Sequence, residues 1–148
     1  MKHLFTSYYN EESMSIIYNE ETANADSIIE YVIVMLEQFI NTLAEESDET
    51  IENVIHIVEK DFNNFVSSYY EGSYELLIAK AIDRGFSNED QEIVGVRDEN
   101  AIGIDLELSY YSDLFLLMTL AAISCDYSDN AHDICKYISS MLLNESVN

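Results

Sequence analysis

The stretch Leu114-Phe115-Leu116-Leu117-Met118-Thr119-Leu120-Ala121-Ala122-Ile123-Ser124-Cys125 is apolar on nearly every side of a helix, interrupted only by Thr119 and Ser124. A helix without a polar face has to be surrounded by other elements. These twelve residues fall well short of the ~20 needed to cross a bilayer. They read as the buried centre of a globular domain, in a helix predicted to start near Tyr110.

The neighbouring segments can be read outward from that centre. Behind it, about Asp129 to Leu143, the residues Ala131, Ile134, Cys135, Ile138, Met141 and Leu142 share one helical face. Ahead of it, Ile102-Gly103-Ile104-Asp105-Leu106-Glu107-Leu108 alternates strictly, as a strand does, and Glu92 to Arg97 can pair with it across Asp98-Glu99-Asn100. A β-hairpin is therefore predicted over about 92–108. Farther upstream the period returns to that of a helix. Ser27 to about Glu45 opens with Ser27-Ile28-Ile29-Glu30, a predicted capping box, and carries Ile28, Val32, Leu36, Phe39, Ile40 and Leu43 on one face.

A second amphipathic helix is predicted from Thr50 to Tyr69 or Tyr70, with Gly72 as its left-handed cap. A third is predicted from Ser73 or Tyr74 to Arg84, and a short first one around Glu11–Asn19 from Met14, Ile17 and Tyr18. The expected fold is mainly α and all-α in its body. It is one domain over 1–148, a bundle of five to six helices around Leu114–Ile123 with a single small hairpin inserted.

Charge narrows the function. Asp and Glu number 29 against 6 Lys and Arg, for a formal net charge of -23 and an isoelectric point near 4.1. Such a surface repels nucleic-acid phosphates and anionic headgroups, so neither nucleic acid nor a membrane surface is an expected partner. A basic protein is. From His3 through Glu59 there are 13 carboxylates and no Lys or Arg. The densest group is Glu45, Glu46, Asp48, Glu49 and Glu52, between the two best helices. The carboxylates around the predicted hairpin, Glu89, Asp90, Glu92, Asp98 and Glu99, form the second candidate set. Tyrosines come in pairs (Tyr8-Tyr9, Tyr69-Tyr70, Tyr110-Tyr111), leaving one of each pair to point outward. Tyr70 leaves its helix's core face and is the tyrosine expected to reach a partner.

Catalytic patterns are not found. His3, His56 and His132 lie in different elements, and the pairs Glu52/His56 and Asp129/His132 do not make up a metal motif. Asp126 opens a calcium-loop-like stretch that lacks the glycine at its sixth position and has Tyr137 at the twelfth. Cys135 and His132 could share a helix face, but Asp129 and Asp133 around them disfavour a thiolate. There is no phosphate-binding glycine loop and no Gly-x-Ser-x-Gly elbow. No enzyme, metal or cofactor is expected. The segment Met1-Lys2-His3-Leu4-Phe5-Thr6 has no apolar run behind its cation, and two cysteines are too few for a disulfide scaffold. The expected compartment is the cytoplasm.

In general character, a compact acidic domain with the 45–52 cluster and scattered tyrosines, the chain resembles the small acidic immunity proteins of bacterial toxin–immunity pairs, including those of contact-dependent growth inhibition. The resemblance implies a non-catalytic inhibitor that binds one cognate toxin, a nuclease in the expected case, and covers its active-site cleft. A DNA mimic acting on a DNA-binding protein is a close variant. The alternative is a helical groove-binder resembling Bcl-2-like proteins, whose Asn-Trp-Gly-Arg stretch is absent here.

Overall fold

The computed structural model describes residues 2–147. In chain order its elements are β1 (Lys2–Asn10), β2 (Ser13–Tyr18), α1 (Ala25–Ser47), α2 (Ile51–Asp83), β3 (Gln91–Arg97), β4 (Ile102–Ile104), α3 (Asp113–Tyr127) and α4 (Ala131–Val147). The strands form one antiparallel sheet in the order β2-β1-β3-β4. The fold is therefore α+β, not the mainly α bundle of five to six helices expected above.

The largest correction lies at the N-terminus. The residues around Glu11–Asn19 are not helical: β1 and β2 form a hairpin whose turn is Glu11-Glu12. Along β1, Phe5, Ser7 and Tyr9 face the helices and are buried. The middle one is polar, and its hydroxyl meets that of Thr119 at 2.9 Å in the interior. A serine at an inward position interrupts the apolar alternation that announces a strand. The turn is equally unmarked, since Glu11 and Glu12 both have positive φ (49° and 65°), where Asn and Gly are the usual residues.

The hairpin predicted over about 92–108 is present in part. The Asp98 carboxylate accepts from the amides of Asn100 and Ala101 and closes the turn. However, β4 stops at Ile104, and the chain turns through Asp105–Leu108 before Tyr110 bridges back to Glu92. Nor is this hairpin a separate insert, because β3 pairs along its whole length with β1. Phe5 lies opposite Gly95 there, and its ring occupies the space a side chain at residue 95 would need.

At the centre is α3, buried continuously from Phe115 to Ser124. Thr119 touches the sheet, and Ser124 donates back to the Leu120 carbonyl, so both polar interruptions are satisfied. The sheet meets α3 through Ser7 and Thr119, while α1, α2 and α4 pack against its other sides. Helix α1 is long and apolar enough to pass as a membrane span by length and composition, yet Ile28, Tyr31, Val32, Leu36 and Ile40 are buried in the same core. Its cap lies three residues earlier than expected: Asn24 is the N-cap, reciprocated by Ser27. Glu30 is thereby left to pair with Arg97.

Helix α2 is broken at Gly72-Ser73, matching the two helices expected on either side. The positive φ falls on Ser73 (55°) and not on Gly72, whose missing side chain instead makes room for Leu76. In a straight helix Asp61 and Arg84 would be about 34 Å apart. Here their side chains bond at 3.0 and 3.1 Å, so the second segment doubles back along the first.

Candidate partner-binding surface

Six basic side chains cannot neutralise 29 carboxylates. Among the described residues, Asp61 and Glu30 pair with arginines, and Asp105 lies 3.7 Å from the His3 ring. The other carboxylates are set largely in solvent, and their positions decide where a partner could be felt.

Glu45, Glu46, Asp48, Glu49 and Glu52 are brought together. All are exposed at the α1–α2 corner. Asp48 terminates α1 in the left-handed region (φ 58°), and Thr50, rather than Asp48 or Glu49, caps α2 by accepting from the Asn53 amide. Glu49 accepts from the Asn53 side chain. No aromatic residue lies within 45–52.

The second candidate set is divided by the length of β3. Asp98 and Glu99 lie past its end, about 20 Å from its beginning, in a recess shared with Lys2 and Arg97. Glu21 lines the same recess, and Arg97 is paired with Glu30. Glu89, Asp90 and Glu92 stand at the opposite end. Tyr70 is 43% exposed, but its hydroxyl donates to the Ser128 carbonyl and accepts from the Ala131 amide, joining α2 to the start of α4. Its polar tip is committed to the fold.

Around Glu92 the structure assembles residues that the sequence reading did not group. On the sheet face turned away from the helices, Tyr8 of β1 lies opposite Glu92, and Glu92 exchanges both backbone hydrogen bonds with Tyr110. Tyr8, Glu92 and Tyr110 thus form one cross-strand row. With Asn10 and Asp90 they line an open recess of about 490 Å³. A second recess beyond the buried Tyr9 is lined by Glu12, Glu75 and Ile82. Tyr110 is 71% exposed, and Leu106 and Leu108 in the turn before it are also exposed. Neither recess has a Lys or Arg in its lining. The tyrosine pairs carried a signal for this, since Tyr8 and Tyr110 are the outward members of theirs, but sequence alone does not place them beside one carboxylate.

Several other polar groups tie the elements together. Asp126 accepts from Tyr18 at 2.5 Å and Tyr69 at 2.7 Å, tying β2 and α2 to α3. His132 sits between Asn63 and Ser67 and joins α4 to α2. Burial pushes the thiols of Cys125 and Cys135 up to about 12, the opposite of an activated nucleophile. Among the described residues no group of three or more His, Cys, Asp or Glu is disposed to hold a metal ion.

No family model, curated protein or solved structure matches this chain.

The protonation of these buried groups sets a pH response. Burial, with Asp126 adding for two of them, raises the phenols of Tyr18, Tyr69 and Tyr31. Thiols and phenols of the unfolded chain titrate near ~8.5 and ~10. Above those values the folded chain holds more protons than the unfolded one, so stability falls as pH rises. The melting temperature is expected to decline steadily from about pH 9 upward relative to pH 7–8. Thermal melts at constant ionic strength check this, and a rise over that range would contradict it.

Proposed function

We propose that this chain is an inhibitor of the immunity type. It binds a basic protein partner, best exemplified by a nuclease toxin acting in the cytoplasm, and covers the cleft that would otherwise take a nucleic acid. The observation that carries this reading is the arrangement of its charge. A surplus of carboxylates far beyond the ~2–8 units that keep a small domain soluble stays largely unpaired, and it gathers at the α1–α2 corner and at the Glu92 end of the sheet. Unpaired like charges destabilise the compact state, whereas the same field speeds encounter with a cationic surface and turns away anionic ones.

The test uses as probes the nuclease domains of any toxins found encoded beside this chain. One of them is expected to lose its nuclease activity at a 1:1 ratio. Its association rate is expected to slow tenfold or more between about 0.05 and about 0.5 M salt. A rate indifferent to salt, or nuclease activity untouched by an excess of the protein, would overturn the reading.

A further inference from the structure

We propose that the row Tyr8–Glu92–Tyr110 on the outer face of the sheet is a socket for an arginine side chain of the basic partner. The inference rests on the inhibitor reading and names which surface carries the contact and which cation it prefers.

The argument begins with register. Directly opposed residues on one sheet face hold their side chains about 5 Å apart. Tyr8 and Tyr110 therefore stand on either side of Glu92, whose carboxylate is exposed. Asp90 supplies a second carboxylate to the same recess, and Asn10 an amide carbonyl. A guanidinium is planar and always charged. Its N–H groups lie in the plane and match a carboxylate, while its faces stack on aromatic rings. One carboxylate between two phenol rings offers both kinds of contact at once. An ammonium uses the charge but gains less from the rings.

Location supports the assignment. Glu92 is exposed and Tyr110 leaves most of its ring in solvent, whereas Val94 and Val96, farther along the same face of β3, are buried. No cation lines the recess. The α1–α2 corner has more carboxylates but no ring, so it attracts lysine and arginine alike.

The experiment titrates the full chain with Nα-acetyl-arginine amide and, separately, Nα-acetyl-lysine amide, followed by NMR. Arginine is expected to shift the resonances of Tyr8, Glu92 and Tyr110 and to bind about fivefold more tightly than lysine. Glu92→Gln and Tyr110→Ala, both at exposed side chains, are each expected to weaken arginine binding about fivefold while leaving the rest of the spectrum in place. Equal binding of the two amides, shifts confined to residues 45–52, or variants that bind arginine as the parent does would each overturn the socket. The inhibitor reading fails separately. If Glu92→Gln and Tyr110→Ala still bind a basic nuclease with parental affinity and salt dependence, the socket is wrong and the inhibitor reading stands.

Discussion

Replacing Arg84 with alanine is expected to destabilise the protein by about 3 kcal/mol, which lowers the melting temperature by roughly 6–12 °C for a domain of this size. Asp61 lies on the inner side of the doubled α2, with only 12% of its side chain exposed, and Arg84 grips both carboxylate oxygens at 3.0 and 3.1 Å. Without the arginine a nearly buried carboxylate is left without its counter-charge, and that orphaned charge accounts for most of the cost. Because half of the Arg84 side chain is in solvent, the expectation sits at the lower end of the range for fully buried pairs. A companion substitution decides the mechanism. Arg84→Ala combined with Asp61→Asn is expected to recover a large part of the loss, since the stranded charge is then absent. Urea or thermal unfolding of the parent, the two single variants and the double variant measures the coupling. Additive losses in the two single variants would show that the ion pair does not hold the two segments of α2 together.

Gly95→Ala is expected to cost about 3 kcal/mol, or to prevent folding altogether. A Cβ built at residue 95 would lie 2.3 Å from the Phe5 ring, far inside contact distance. The ring has no room to retreat. It is 2% exposed and meets Tyr31 edge-on at 5.1 Å, and the Tyr31 hydroxyl is itself tied to the Gly103 carbonyl at 2.8 Å. Relief must therefore come from spreading β1 and β3, the two central strands. Adding Phe5→Leu removes the obstructing edge, and the double variant is expected to be more stable than Gly95→Ala alone. Denaturant midpoints of the two variants check this. If Phe5→Leu deepened the loss, the glycine would be required for some reason other than the ring above it.

These two positions show why parts of the architecture were legible in the sequence and others were not. The apolar run from Leu114 to Cys125 was enough to place α3 at the centre, because a helix without a polar face has no other stable setting. The break in α2 was legible at Gly72, although the strained residue is Ser73. The sheet was half hidden. Ser7 sits where an apolar residue would have signalled β1, and what justifies it is Thr119, 112 residues away. The alternation over 102–108 overstated its strand, since Leu106 and Leu108 alternate but lie exposed in a turn. The acidic corner at 45–52 was found because its members are adjacent in sequence. The hairpin carboxylates are not brought together, because residues within ten positions of one another can lie at opposite ends of a strand such as β3.

By itself the sequence determined what depends on near neighbours: the helical periods, the broken α2, the central helix and the sign of the electrostatic field. Helical hydrogen bonds reach only four residues, so their pattern is written in consecutive side chains. The tertiary structure alone decided that Lys2–Tyr18 would be strands, that Phe5 would need a glycine at residue 95, and that Tyr8, Glu92 and Tyr110 would stand in one row. Strand pairing joins residues far apart in the chain, and its partners are selected only when the whole core closes around α3.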